Sequence, residues 1–367
     1  MAFKPSGDKT LFLTTGFLTL FGLVMMYSAS SVMASSQHDG LSSYYFVRQL
    51  IYAVFGFFAL IFLMKINYHV WQNHKIRRLL IAVCIIGLLL VFTQPAVNAA
   101  HRWLRYGSFL SFQPSEIAKL VLLLFLAAFL QKRENGINEL RRGLGPCVMI
   151  IGLFAVLIGI EPDLGQALCI VLIASVMLFA AGLSWKYMAG AGLLVLPAFY
   201  FLVVRVPYRW DRIKSFLNPF GDLLGAGWQI SQSLTAVGSG GIWGAGLGES
   251  RQKLFFLPEA QSDFIFAVIG EELGLVGAGV VVAAFVLFFY RGMKITLRAP
   301  DRFGFYMGLG ITLMVVLQAF INISMTLAML PTKGIALPFI SQGGSSLLLN
   351  LLATGVLLNI SHYGEQN

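Results

Sequence analysis

Four carboxylates, Glu259, Asp263, Glu271 and Glu272, lie within a glycine-rich polar stretch, Gly227–Gly274, of a chain that is otherwise mostly apolar. A carboxylate that meets both water and a bound hydroxyl can act as a general base, because it can accept the hydroxyl proton. Asp263, at the start of an apolar segment, is the candidate for this role. The alternative is that Asp263 caps a helix, and composition alone slightly favours the cap.

The composition places these residues in a membrane protein. The 367 residues are 57% hydrophobic and 11% charged, with a mean hydropathy of +0.79, whereas soluble domains carry about 25% charged residues. A helix of roughly 20 apolar residues spans a bilayer, and the sequence supplies about ten such segments. We therefore predict an all-α integral membrane protein that forms a single domain over residues 1–367.

The basic residues predict the orientation of the chain. Of the 26 lysines and arginines, 15 lie in the segments on the same side of the membrane as the N-terminus. On the opposite side, only five lie outside the long loop at 205–262. Because short cytoplasmic loops are enriched in basic residues, both termini are predicted to be cytoplasmic. The large loop between the seventh and eighth spans is then extracytoplasmic. Orientation also explains the net charge of +10, so no nucleic-acid partner is expected.

The predicted eighth span, residues 263–290, sets a depth scale for the carboxylates. A straight helix of this length measures about 42 Å, against a hydrocarbon core of about 30 Å. If Arg291 marks the inner interface, Glu271 and Glu272 lie at the outer edge of the hydrocarbon, and Asp263 lies about 12 Å further out. We expect Asp263 to be ionised beside the positive helix end, and the two deeper glutamates to pair with a buried lysine or arginine.

Two other polar clusters flank predicted spans. Glu116 and Lys119 share one helix face just after Pro114, which suits a first helical turn. An ion pair inside a membrane is costly unless it lines an aqueous cavity, so substrate contact and a purely structural link between spans are equally good interpretations. In the turn EPDLGQ, Asp163 is predicted to face inward, whereas Glu161 fits a solvated turn.

The start of the last span has the features of an anion site. Two glycines and two serines place backbone N–H groups at the positive helix end, which suits a pyrophosphate, and Lys333 adds a cation. Close helix packing by small residues is an equally good interpretation. The sequence has no HExxH, P-loop or dinucleotide motif, and its five histidines are scattered, which argues against a metal site built from histidines. The two glycines and two serines at the start of the last span are Gly343, Gly344, Ser345 and Ser346.

Five motifs occur in order over nearly the whole chain: QPSEIAK, EPDLGQA, GWQISQSLTAVGSGGIWGAGLG, LPEAQSDFIFAVIGEELG and LPTKGIALPFISQGGSSLL. Together they resemble the SEDS family (shape, elongation, division and sporulation). The resemblance implies a peptidoglycan glycosyltransferase that polymerises lipid II, the undecaprenyl-pyrophosphate-linked disaccharide pentapeptide, at the outer face of the bacterial cytoplasmic membrane. The segments GLGESRQKLFFLPEA and PTKG are more similar to the division branch of the family than to the elongation branch.

The catalytic aspartate of the family lies in a motif like QSDF, so the resemblance assigns that role to Asp263. His-Thr usually precedes this aspartate, but here Gln261 and Ser262 do, and Gln342 stands where the family usually has tyrosine. The leaving pyrophosphate needs cations, for which Arg102, Lys119, Arg251 and Lys333 are candidates. The residues predicted to bind substrate are Arg102, Glu116, Lys119, Asp163, Arg251, Lys333, Gly343, Gly344, Ser345 and Ser346.

The resemblance also implies partners. A class B penicillin-binding protein is the obligate one, and the division branch adds other division proteins and a location at the septum. The sequence identifies no cofactor with certainty, and a divalent cation, Mg²⁺ or Mn²⁺, is an open option. Two other functions are weighed. Ten spans carrying charged residues suit a lipid II flippase, but the polar groups gather at one face rather than at the midplane, where transporter sites lie. The second alternative is a membrane scaffold that recruits a synthase.

Overall fold

The computed structural model describes residues 7–37, 39–95, 101–106, 110–133, 136–222, 225 and 227–364. Lys4, which contributed to the predicted orientation, lies outside the described residues. The helices of the described part are α1 (Lys9–Gln37), α2 (Tyr44–Lys65), α3 (His74–Leu90), α4 (Pro114–Arg133), α5 (Gly145–Ile160), α6 (Leu164–Ala180), α7 (Trp185–Phe199), α8 (Pro207–Leu217), α9 (Trp228–Gly240), α10 (Ile265–Leu297), α11 (Arg302–Thr326) and α12 (Gly344–Gly364).

The helices have the lengths that a bilayer requires. In the described part of the chain, nine helical segments are long and apolar enough to cross a membrane, and α6, with 17 residues, is a shorter apolar helix. An α-helix satisfies its backbone hydrogen bonds internally, as lipid demands. The prediction of an all-α protein with about ten spans is confirmed. α4, α11 and α12 are mostly buried and form the centre of the bundle, whereas α7 has no buried residue and lies at its edge.

The first and last described helices meet at one end of the bundle. The backbone N–H of Asp8 donates to Ser361 Oγ (3.0 Å), and Arg291 Nε donates to the Asp8 carboxylate (2.8 Å). The start of α1, the end of α12 and the late part of α10 therefore lie together, as an even number of spans requires. That this end is cytoplasmic stays a prediction.

The segment predicted as a loop at 205–262 contains two helices, α8 and α9. Its residues 223, 224 and 226 lie outside the described part of the chain. α9 packs against α10 and buries Ile230 and Ala236, and Ser233 Oγ donates to the carbonyl of Thr326 (2.8 Å). The segment is therefore a folded cap on the bundle. A short hairpin of β1 (Leu104–Tyr106) and β2 (Leu110–Phe112) precedes α4.

α10 is broken near its start. Gly274 has φ 65° and ψ −163°, which interrupts the helix, and the carbonyl oxygens freed before the break accept bonds from the cap. Ala245 N–H donates to the carbonyl of Glu271 (2.9 Å), and Gly246 N–H donates to that of Glu272 (3.0 Å). The prediction of a straight helix, on which the depths of the carboxylates were based, is therefore wrong. The helix breaks because Gly274 adopts a backbone conformation open only to glycine.

Gly274→Ala is expected to destabilise the protein by about 1–3 kcal/mol from backbone strain alone. A Cβ at this position would also lie 2.4 Å from the backbone nitrogen of Gly244, so the cap would have to shift. Thermal unfolding in detergent measures the effect. The matched control is Gly279→Ala in the same helix, where a Cβ meets nothing within 4 Å. Equal melting temperatures for the two variants would contradict the prediction.

Candidate functional site

Asp263 lies immediately before α10, where the cap meets the last loop of the chain. The N-cap position of α10 is Phe264, without a side-chain cap bond, so the alternative that Asp263 caps the helix is wrong. The Asp263 carbonyl accepts from Asn322 Nδ2 (2.8 Å), and the same amide donates to the carbonyl of Ile335 (2.7 Å). Asn322 of α11 therefore holds Asp263 against the loop between α11 and α12.

A second tether joins the segment of Asp263 to the start of α12. Ser341 Oγ donates to the carbonyl of Ser262 (2.5 Å), and Gln342 N–H donates to the carbonyl of Gln261 (3.0 Å). The Gln261 side chain is buried, with Nε2 against Met33 Sδ of α1 (3.4 Å). Gln261 and Gln342, which both depart from the family pattern, are thus joined by a backbone hydrogen bond beside Asp263, and Gln261 points its amide toward α1.

Asp263 is half-buried, and its surroundings favour a proton on its carboxyl. Burial raises its pKa to about 7, the negative charge of Glu259 adds to the rise, and Arg212 acts against both. Asp163 and Arg102 also act on this carboxyl, raising and lowering its pKa respectively. A carboxylate with a pKa near the working pH is well matched to accept a proton from a hydroxyl.

Cations gather beside the carboxylates of this site. Arg212 Nη1 donates to the carbonyl of Thr332 (3.0 Å), so α8 is tied to the residue next to Lys333. Burial lowers the pKa of Lys333, and Arg212 and Arg209 lower it further by charge repulsion. Lys333 was predicted from the sequence, but Arg209 and Arg212 were missed, because Arg251 was the one basic residue of the long loop taken as a candidate cation.

Asp163 faces inward, as its place at a helix start indicated. It is 4% exposed, its side chain accepts from the Gln166 N–H of α6 (3.2 Å) and from Gln113 Nε2 (3.2 Å), and Arg102 Nε lies 4.0 Å from Asp163 Oδ2. The solvated turn expected at Glu161 is wrong. Glu161 is fully buried, neither carboxylate oxygen has a hydrogen-bond partner among the described residues, and burial raises its pKa to about 8.

Glu116 and Lys119 form an ion pair inside the bundle, with Lys119 Nζ 3.0 Å from Glu116 Oε2. Lys119 Nζ also donates to Gln318 Oε1 of α11 (2.9 Å), and Gln166 Nε2 of α6 donates to Glu116 Oε1 (2.8 Å). The pair thus links α4 to α6 and α11, which is a structural role. The backbone N–H of Gln166 also donates to Asp163, so this network extends to the residues around Asp163. Direct contact of Glu116 or Lys119 with substrate stays a prediction.

A separate polar cluster holds the two deeper glutamates. Glu272 Oε1 lies 2.7 Å from Lys253 Nζ, and Ser28 Oγ of α1 donates to the same carboxylate (2.7 Å). The expectation that a deeper glutamate pairs with a buried lysine is confirmed for Glu272. Glu271 instead accepts from the backbone N–H of Arg251 (2.9 Å). The Arg251 side chain is exposed beside a groove against α1, and Arg251 is not among the charges that act on Asp263.

The start of α12 is packed closely. A Cβ on Gly344 would lie 2.2 Å from the Tyr52 ring of α2, and Gly343 N–H donates to Gln49 Oε1 (3.3 Å). Ser345 and Ser346 are buried. Helix packing therefore accounts for Gly344, while the anion site at this turn stays a prediction.

The described side chains offer no ready set of ligands for a divalent cation. Among the described residues, no three His, Cys, Asp or Glu side chains lie together so that they could hold a metal ion.

The fold and site together define a class of protein. It is a multi-pass helical membrane protein in which the candidate carboxylate, Asp263, lies among cations at one end of the bundle. Such a site suits proton transfer beside an anionic group.

The comparisons with known proteins identify the family. A family model described as Cell cycle protein, for FtsW, RodA and SpoVE, matches residues 8–366. The chain is 45% identical over 358 residues to the "Probable peptidoglycan glycosyltransferase FtsW" of Geobacter metallireducens, which covers 96% of this chain and 94% of that protein. It is 44% identical over 367 residues to the stage V sporulation protein E of Bacillus subtilis, which covers 99% of each. The chain belongs to this family, and the resemblance predicted from the motifs is confirmed.

Solved structures share the fold. One match, with a TM-score of 0.78 and 24% identity over 98% of this chain and 99% of the other, is to a structure described as the coordination of polymerization and crosslinking by a peptidoglycan synthase complex. Another is the rod shape determining protein RodA of Thermus thermophilus, with a TM-score of 0.68 and 24% identity over 98% of each chain.

Proposed function

We propose that this protein is a peptidoglycan glycosyltransferase that polymerises lipid II into glycan strands for the septal wall during cell division. The observation that carries the proposal is the placement of Asp263, a half-buried residue with a pKa raised to about 7 and with Arg212 and Arg102 among the charges that act on it. The identity to proteins named FtsW supports the division branch.

In the proposed reaction, Asp263 accepts the proton of the C4 hydroxyl on the N-acetylglucosamine of the acceptor. That oxygen then bonds to C1 of the N-acetylmuramic acid of the donor, as the bond from C1 to the pyrophosphate oxygen breaks. Undecaprenyl pyrophosphate leaves with the bonding electrons. General-base help of this kind contributes about 10²–10⁴-fold to the rate.

Cations beside Asp263 stabilise the negative charge that grows on the leaving pyrophosphate. Arg102, Arg212 and Lys333 supply them, since all three belong to the charged set around Asp263 and Asp163. Arg212 is tied to the last loop through Thr332, so the guanidinium is held in place before the substrate arrives. Positioned charges of this kind act without reorganising during the reaction.

The proposed partner is a class B penicillin-binding protein, which would crosslink the strands that this protein makes. A solved relative of the same fold is described within a peptidoglycan synthase complex, which supports a shared assembly. Other division proteins, membrane lipid and a location in the bacterial cytoplasmic membrane at the septum complete the proposal.

Polymerisation of lipid II by the purified protein with its partner tests the function directly. Glycan strands that depend on this chain would support it. Reconstituted protein that moves lipid II across vesicles but makes no glycan would favour the flippase. Full complementation of a deletion strain by Asp263→Ala would favour the scaffold. Rescue of an elongation mutant but not of a division mutant would assign the chain to the elongation branch.

The rate of polymerisation is expected to fall as the pH drops through about 7. The pKa of Asp263 is raised to about 7, and only the ionised carboxylate accepts a proton, so activity is present above this pH and is lost below it. Glu259→Gln removes a negative charge that raises this pKa, so the acidic limb should move to lower pH. The displacement is modest because Glu259 is exposed and its charge is screened.

A pH–rate profile of each protein measures this limb. Glu249→Gln is the matched control, since Glu249 is an exposed acid of the same cap that is not among the charges acting on Asp263. Its acidic limb should coincide with that of the wild type. A flat profile, or equal displacement by both variants, would contradict the assignment of the limb to Asp263.

A further inference from the structure

Four basic residues form a cluster, here called the basic corner, at the end of the bundle opposite to Asp263. The members are His74, Arg77 and Arg78 at the start of α3 and Lys132 at the end of α4. Asp263 precedes α10 and Asp301 follows it, and Asp301 accepts a bond from Tyr68, which lies just before α3. The basic corner is therefore remote from the catalytic candidate and does not depend on the proposed function.

The contacts within the basic corner cannot all be hydrogen bonds. Lys132 Nζ lies 2.9 Å from His74 Nε2, and Arg77 Nη2 lies 2.7 Å from His74 Nδ1. Lysine and arginine are donors only, and a neutral imidazole has one acceptor nitrogen. At least one of the two cations thus faces an N–H group of the imidazole, and both do so when His74 is protonated. Lys132 and Arg77 therefore have too few acceptor atoms on the His74 ring.

No carboxylate of the described part of the chain is among the groups that act on His74. The charged groups that act on His74 are Lys132, Arg77 and Arg78. Arg77 Nη1 is buried and has no hydrogen-bond partner among the described residues. Asp301, the acid beside Tyr68, already accepts from the Tyr68 hydroxyl and from the N–H of Gly304. The positive end of α3 adds to the local potential.

We propose that the basic corner binds the phosphate of an anionic phospholipid headgroup. Phosphate oxygens can accept from Lys132, Arg77 and an N–H of His74 together, which supplies the missing acceptor. His74 and Lys132 are exposed, and apolar spans run from both, so the corner lies where the headgroup layer meets the hydrocarbon. Anionic leaflets attract basic segments at this depth. The chemistry is shared by free phosphate, but the apolar surface beside it favours the lipid.

Lipid binding by the full-length protein in detergent tests the proposal. Native mass spectrometry gives the apparent Kd for dioleoylphosphatidylglycerol, with dioleoylphosphatidylcholine and inorganic phosphate as comparisons. The double variant Arg77→Gln/Lys132→Gln removes two charge-assisted bonds, so its apparent Kd for the anionic lipid should be weaker by about tenfold or more. The matched control, Arg141→Gln/Lys186→Gln, removes one exposed arginine and one exposed lysine elsewhere and should bind like the wild type.

Three outcomes would overturn the proposal. Equal loss of affinity in the control would mean that binding follows net charge, and equal affinity for phosphatidylcholine would mean that the headgroup charge is not recognised. If inorganic phosphate binds as tightly as the anionic lipid, the basic corner is a site for free phosphate and not for a lipid headgroup. Melting temperatures without lipid check that each variant folds. If the double variant does not fold, Lys132→Gln alone, on an exposed side chain, should still weaken binding relative to Lys186→Gln.

Discussion

Asp263→Asn is expected to lower the rate of lipid II polymerisation by about 10²–10⁴-fold, the usual contribution of a general base. The amide is nearly the same size as the carboxyl but cannot accept the hydroxyl proton. The Asp263 main chain is held by Asn322, and this bond does not involve the carboxyl, so the fold should be preserved. Glycan product from the purified complex with its partner measures the effect, and the loss should appear mainly in kcat.

Asp211→Asn is the control for this experiment. Asp211 lies on α8 in an exposed ion pair with Lys214, so its loss should leave polymerisation close to the wild-type rate. Both variants should melt near the wild-type temperature. Asp263→Asn protein that is folded and polymerises lipid II at the wild-type rate would refute the assignment of Asp263 as the base.

Lys253→Met is expected to destabilise the protein by about 3–5 kcal/mol, because it leaves the Glu272 carboxylate buried without its cation. Lys253 and Glu272 have side chains 5% and 0% exposed, and their charged atoms lie 2.7 Å apart. Ser28 of α1 binds the same carboxylate, so the pair also fastens the cap and α10 to the first helix. Denaturant or thermal unfolding in detergent gives the loss of stability.

The exposed pair of Lys214 and Asp211 supplies the comparison. Lys214→Met should cost no more than about 1 kcal/mol, as surface ion pairs do. Adding Glu272→Gln to Lys253→Met should recover part of the lost stability, because the uncompensated charge is removed with its partner. Additive losses in the double variant would show that the two groups do not interact.

The membrane architecture and the main candidate residue could be predicted from the sequence. Apolar segments of span length determine the helices because lipid leaves the backbone no other way to satisfy its hydrogen bonds. The motif around Asp263 pointed to the catalytic role, although local pattern alone could not separate a base from a helix cap. The pairing of Glu272 with a buried lysine was also predictable, since a buried charge requires a partner.

The tertiary structure decided which distant residues join Asp263. Arg212 lies about fifty residues before Asp263 in the chain and reaches the last loop through Thr332, a contact that no local periodicity reports. The backbone conformation of Gly274 breaks α10, and the cap bonds to the carbonyls that the break frees, so the depth scale based on a straight helix failed. The sequence by itself thus determined the spans and singled out Asp263 as the candidate base. Only the packing of helices and cap decided its neighbours, because electrostatics depends on distances in space rather than along the chain.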